Sequence, residues 1–429
     1  MNTWWTRTTV MAALALAGGC GDDAPAEGSP DAGDLGSPPL DAGDAGMADA
    51  GTDDAGTADG GNGDDPVYVA CGATLIPGEG AAGFVAAFDS LEMGTIDLGP
   101  TIEVAGGVNC VAGDGAVYVG EVAAPILTRY DVGPDATFTR GPRLSFAGRG
   151  VATLGGFPSR IQLISESKGY LLDEDTATII VWNPTTMEIV DQFSIEGLGD
   201  FFRIEAFPYS GGLLLFTRSS TGTGVSARRT GIGFVDTTND TVTYDESTAC
   251  GGTTNAVELP NGDVILASSA IVAAQQRLGL EGAFPPCFIR IPAGTNAVDD
   301  DFTIDVDGLT GGPTGELVPG AGSSGFILSY DEALIPIPPD ATAGQLRATP
   351  AWRLYQLPEI GSTQPGVLVG DVAPSAGAAL TFVIDGRIYL SQLSGDFASS
   401  TLVDLTDAPD TIAESITVGG ILVLVDRVR

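Results

Sequence analysis

From Val67 onward, short apolar runs alternate with clusters of Gly, Pro, Asn and Asp, the pattern of β-strands joined by tight turns. Long amphipathic helical periodicity is scarce. One unit recurs: an apolar strand, a polar turn, a second strand ending in an aromatic and often Asp, then another turn and strand. Residues 84–98 carry it as Phe-Val-Ala-Ala-Phe-Asp, a turn, and Thr-Ile-Asp-Leu. Residues 168–195 and 213–244 repeat it more fully, and further units fall at 116–138, 263–306, 326–357 and 380–405. A meander recurring every ~40–55 residues cannot bury both faces alone, and stacking the units radially covers them. The prediction is an all-β chain folded as a β-propeller with seven blades. Six or eight blades stay open, because the units at 263 and 326 carry long insertions, and a pair of β-sandwiches is the alternative architecture. The last apolar run, 420–428, is placed to pair with residues 67–70 and close the ring, which removes its open edge.

The first residues behave differently. Arg7 precedes an apolar stretch from Val10 to Ala17, followed by Gly18-Gly19-Cys20. This reads as a signal peptide over 1–19 with lipidation of Cys20. Ala17 stands where such signals usually carry Leu, and the alternative is ordinary cleavage near Ala17 with Cys20 left as a thiol. The stretch is too short to span a bilayer. Residues 20–65 contain Asp-Ala-Gly triplets at Asp31, Asp41, Asp44 and Asp49, with no Lys or Arg. They bury nothing and read as a disordered, charge-extended tether. The globular domain is therefore expected over 66–429. Gly21 lacks the Asp linked to inner-membrane retention, so the expected location is the cell envelope, at the outer membrane, held by the lipid alone.

Charge and composition remove whole function classes. The chain carries 18 Lys+Arg against 56 Asp+Glu, which argues against nucleic acid and against anionic surfaces. It has no histidine at all, so Ser-His-Asp and Cys-His catalysis, His-bound zinc and His-ligated haem are excluded. With Cys20 set aside, Cys71, Cys110, Cys250 and Cys287 form an even set suited to an oxidising compartment. Three pairings are possible. Cys71–Cys110 and Cys250–Cys287 are preferred because each would bridge neighbours in a repeat, and no CxxC spacing supports a metal site.

The segment from Ser165 to Ile195, and above all Ile180-Val181-Trp182-Asn183-Pro184-Thr185-Thr186-Met187-Glu188-Ile189, resembles propeller lipoproteins encoded beside myxochelin-type siderophore genes. That resemblance implies a surface lipoprotein assisting ferric siderophore uptake, and it brings no catalytic residues. Read by itself, Trp182 to Glu188 is a core tryptophan leading into an Asn-Pro turn.

An iron catecholate is strongly anionic, and arginine is the abundant cation available to hold it. The candidates are Arg143, with Arg140 and Arg149 nearby; Arg160 and Arg203 near strand starts; and Arg228-Arg229. The loop 219–231 around the last pair leads, being longer than a hairpin needs. Each arginine alone also reads as a surface ion-pair member. No cofactor is expected. Calcium at Asp173/Asp175 or 299–301 stays open, although neither matches an EF-hand and both read as turns. The functional expectation is a non-enzymatic binding module for an anionic small molecule such as a ferric siderophore, or one that meets an outer-membrane receptor. The alternatives are a metal-assisted, lactonase-like hydrolase and a protein-docking envelope propeller.

Overall fold

The computed structural model describes residues 66–429 apart from 77–79, 97–100, 123, 155–159, 303, 379, 395–397 and 410. The signal peptide, Cys20 and the tether over 20–65 lie outside the described residues.

Seven antiparallel sheets form the ring of a seven-bladed β-propeller. In chain order their innermost strands are Val108–Gly113 (blade 2), Ile161–Ser165 (blade 3), Arg203–Tyr209 (blade 4), Thr253–Glu258 (blade 5), Thr314–Pro319 (blade 6), Leu380–Ile384 (blade 7) and Ile421–Arg427 (blade 1). Blade 1 combines both ends of the domain. Its inner strand Ile421–Arg427 pairs antiparallel with Tyr68–Ile76, as the sequence pattern required. Gly94–Thr95 then adds a parallel fifth strand to the outer edge of blade 7, so the chain crosses this junction twice.

The middle strands carry unbroken apolar runs, such as Leu213 to Phe216, because both of their faces are covered. In blade 4, Leu213 and Leu215 pack toward Tyr170 and Leu172 of blade 3. The alternate residues Leu214 and Phe216 pack toward Leu266 and Ile289 of blade 5. Period-two alternation thus feeds two different inter-blade cores. Outer strands such as Glu188–Ser194 are mostly exposed, since nothing covers them.

Two disulfides bear out the preferred pairing. Cys71–Cys110 ties blade 1 to blade 2, and Cys250–Cys287 lies within blade 5, where the Ser268 hydroxyl contacts both sulfurs. At the 182–188 turn, Trp182 is fully buried and the Asn183 side chain accepts from the Thr185 and Thr186 amides at 2.8 and 3.0 Å. Core and turn account for the motif.

The long insertions at 263–306 and 326–357 each contain a helix. Helix α1, Ala270–Arg277, connects the second and third strands of blade 5, and helix α2, Ala343–Ala348, does the same in blade 6. The two share a core of Ala270, Ala273, Ala274, Ala343 and Leu346 with Trp352. Because the first two strands of a blade are antiparallel, the start of the inner strand and the second-to-third connection lie on one face of the ring. Both helices therefore sit on this upper face, over blades 5 and 6.

Candidate functional site

Charged side chains collect where the inner strands of blades 3 to 6 begin. Arg203 opens the inner strand of blade 4, and the hairpin register sets it directly opposite Arg218. Like charges on paired strands repel. Arg203 is only 8% exposed, and burial together with Arg218 lowers its guanidinium from the ordinary 12.5 to about 10. Arg160, just before the inner strand of blade 3, is likewise pushed down by burial and by Arg203.

Three glutamates interleave with these cations. Glu174 forms an ion pair with Arg160, lies 3.8 Å from Arg203 and accepts the Ile204 amide at 2.8 Å. Glu205 pairs with Arg218 at 3.0 Å, whose guanidinium also stands 5.7 Å from the centroid of the Phe202 ring. Arg347, from α2, lies 3.9 Å from Glu316 on the inner strand of blade 6. Arg347 is enclosed on most sides and its charge is disfavoured by burial. It still keeps 26% of its side-chain surface open, as a residue on the wall of a funnel does.

Glu316 is held most tightly. It occupies a β-bulge with φ +62°, a region a non-glycine residue rarely adopts. Its carboxylate accepts from the Ala270 amide at the start of α1 (3.2 Å) and from the Thr254 hydroxyl (3.0 Å). At 2% exposure its proton affinity is raised by burial, against the pull of Arg347. The bulge exists because α1 comes close: a Cβ on Gly315 would stand 2.7 Å from the backbone at Ala270. The helix and the inner strand therefore fix each other, and through Arg347 they fix the cation.

The buried Nε atoms of Arg160, Arg218 and Arg347 find no acceptor among the described residues. The arrangement offers four guanidinium groups, and the Nε donors of Arg160, Arg218 and Arg347 are the ones available to oxygen atoms of an anion.

The structure brings together Arg160 and Arg203 from the sequence candidates and leaves the others apart. Arg143 lies on the outer strand of blade 2, paired with Glu121 at 2.7 Å. Arg229 pairs with Glu246 on an outer strand at 2.6 Å, and Arg228 donates to the Ala249 carbonyl at 2.7 Å. Their loop does lie on the upper face, but it is packed down: Val225 and Ser226 are buried, and the Ser226 amide donates to Gln275 of α1. Arg218 and Arg347 are the members the sequence did not single out. Among the acidic turns, Asp173 accepts from Thr176, and Asp299 from Arg290 and the Asp301 amide.

No family model and no curated protein matches the chain. Solved structures do. The periplasmic gluconolactonase of Pseudomonas aeruginosa superposes with a TM-score of 0.53 at 9% identity, over 85% of this chain and 99% of that one. A candidate 6-phosphogluconolactonase from Bacteroides fragilis gives 0.51 at 12% identity, over 85% and 99%. The likeness is one of fold: both span almost their full length on this propeller.

Proposed function

We propose that this protein is a binding module that holds a small anionic ligand at the arginine-lined mouth of its propeller, tethered to the outer membrane through Cys20. The observation that carries the reading is the facing pair Arg203 and Arg218, flanked by Arg160 and Arg347. A chain with 56 acidic and 18 basic residues concentrates four guanidiniums at one depth, where their mutual repulsion lowers stability. Perturbed ionisable groups of this kind cluster at functional sites. A ferric siderophore, implied by the resemblance of residues 165–195, belongs to this ligand class, and an outer-membrane receptor is the partner that would receive it. Among the described residues no helix is long and apolar enough to cross a membrane.

One observation favours a second reading, hydrolysis of a lactone. Glu316 is a strained, buried carboxylate beside Arg347, and the two structural neighbours bear lactonase names. Its carboxylate already holds Ala270 and Thr254 and is 2% exposed, so binding stands first.

Trp352 supplies the assay. Its indole donates to the carbonyl of Leu346, the residue before Arg347, whereas Trp182 sits at a turn on the lower face. Fluorescence of a Trp182→Phe protein, titrated with ferric catecholate, the iron-free catecholate and citrate, is expected to change saturably at micromolar ligand. Arg203→Gln with Arg218→Gln should weaken binding at least about tenfold, a loss of roughly 1.4 kcal/mol. No saturable change with any anion would overturn the reading. Acid release from gluconolactone above the spontaneous rate would favour hydrolysis instead.

A further inference from the structure

The lower face of the ring carries a cleft of its own. It opens between blades 4 and 5, where the inner strand of blade 4 ends at Tyr209 and the third strand of blade 5 ends at Ile291. Arg203 starts the strand that Tyr209 ends, so the cleft and the arginine mouth stand roughly 20 Å apart along it. The volume is about 290 Å³, at the small end of the range for small-molecule sites. Its floor is Val264 and Ile291, both buried, which close the core shared by the two blades. One wall is Tyr209, half-buried against that same core. The tyrosine ring lies over Gly211, where a Cβ would stand 2.5 Å from its Cε2, so the absence of a side chain there is what lets the ring form the wall. The rim is polar and exposed, with Ser210 on the blade 4 side and Thr295 and Asn296 on the blade 5 side.

The turns that form this rim are held in place. Both oxygens of Glu258 accept from the Ser210 amide, at 3.1 and 3.0 Å, and Asp263 accepts from the Ala293 amide at 2.8 Å. The Asn296 Nδ2 donates to the Thr243 hydroxyl at 3.3 Å, which leaves its Oδ1 as an acceptor. Among the described residues that line the cleft none is ionised, so a charged ligand would lose hydration there and meet no opposite charge. An apolar floor, an aromatic wall and a rim of hydroxyl and amide groups together suit a ring with C–H faces and hydroxyl edges. We infer that the cleft binds a neutral pyranose unit, stacked on Tyr209 with its hydroxyls toward Ser210, Thr295 and Asn296. A free sugar and the end of a glycan chain present the same unit. The site is separate from the anion-binding mouth and does not depend on it.

Saturation-transfer NMR of the full chain with the methyl glycosides of glucose, galactose and mannose, with maltotriose and with choline tests this. At least one pyranoside is expected to receive saturation at its ring C–H protons, with a Kd on the order of 1 mM, as one ring's worth of contact gives. Tyr209→Ala should weaken that binding at least about fivefold. Asn296→Ala, which replaces an exposed side chain and so leaves the fold intact, should weaken it about threefold. Arg203→Gln with Arg218→Gln should leave it unchanged, and Tyr209→Ala should leave the anion titration unchanged, so the two sites stand or fall separately. Binding of maltotriose as well as the monosaccharides would support a glycan end as the source, and its exclusion a free sugar. Saturation of none of the sugars, sugar binding that both Tyr209→Ala and Asn296→Ala leave untouched, or a preference for choline would overturn the inference.

Discussion

Arg203→Met separates a site held ready for a ligand from an ordinary buried ion-pair network. A guanidinium displaced from 12.5 to about 10 is one whose charge the fold disfavours, at about 1.4 kcal/mol per pH unit. That amounts to ~3 kcal/mol. The sign follows from the direction: a base whose affinity for its proton falls on folding lowers stability at every pH below about 10, and the loss is relieved only above it. At 8% exposure solvent screening takes little from this figure. Methionine keeps most of the aliphatic stem and removes the charge. Glu174 would not be stranded, since Arg160 and the Ile204 amide still hold it. Allowing for the lost 3.8 Å contact with Glu174 and the attraction of Glu205, Arg203→Met should stabilise the unliganded protein by about 1–2 kcal/mol, in line with other replacements of buried ion clusters by apolar groups. For a domain of this length that corresponds to a rise in Tm of roughly 1–3 °C. The same variant should lose at least about tenfold in anion affinity. The assays are thermal unfolding without ligand and the Trp352 titration. A fall in Tm would refute the reasoning, because it would mean that the acidic partners already balance Arg203 and no ligand is called for.

Two further perturbations probe the scaffold. Replacing Cys250 and Cys287 with Ala opens a crosslink spanning 37 residues; chain entropy puts the loss at about 4 kcal/mol, and urea unfolding showing less than ~1 kcal/mol would refute it. Asp307 is pushed up to about 6, chiefly by burial. Its folded carboxyl therefore favours the proton, and its destabilising effect is present above pH ~6 and relieved as pH falls toward the ordinary carboxylate range. Asp307→Asn, which keeps an oxygen for the Thr314 amide, should add roughly 1–2 kcal/mol at pH 7.5 after allowance for partial exposure, and almost nothing at pH 4. Equal effects at the two pH values would contradict this.

The ring was legible because a propeller writes its burial into the sequence twice. Leu213 to Phe216 are apolar without interruption since each neighbouring blade claims alternate residues, and the recurrence of such runs counts the blades. Ring closure was legible from the apolar run at the C-terminus, and the disulfides from the repeat. Arg160 and Arg203 stood out because strand starts are where a blade meets the axis. Arg218 did not: it reads as the polar end of Leu-Leu-Leu-Phe-Thr-Arg, and only the hairpin register sets it against Arg203. Arg347 depends on an insertion. The capping box of α2, Thr342 with Gln345, is visible as a Thr-x-x-Gln spacing, but the docking of that helix over the mouth rests on Leu346 and Trp352 burying together. The loop at 219–231 misled by composition. Its Gly, Ser and Thr residues suggest freedom, whereas Val225 and the contact of Ser226 with Gln275 pin it to α1.

An acidic protein and an anion site are compatible because the two charges act at different ranges. At physiological salt, surface carboxylates are screened beyond about 8 Å, so the net charge chiefly keeps the domain soluble and dispersed. Inside the mouth, water is partly excluded and each guanidinium acts on what touches it. There the balance is local: Glu174, Glu205 and Glu316 stand among Arg160, Arg203, Arg218 and Arg347, and Asp173 and Asp175 also act on Arg160. An incoming carboxylate would offer acceptors to the Nε donors of Arg160, Arg218 and Arg347. Without these acids, neighbouring guanidiniums such as the facing Arg203 and Arg218 would repel one another across the hairpin.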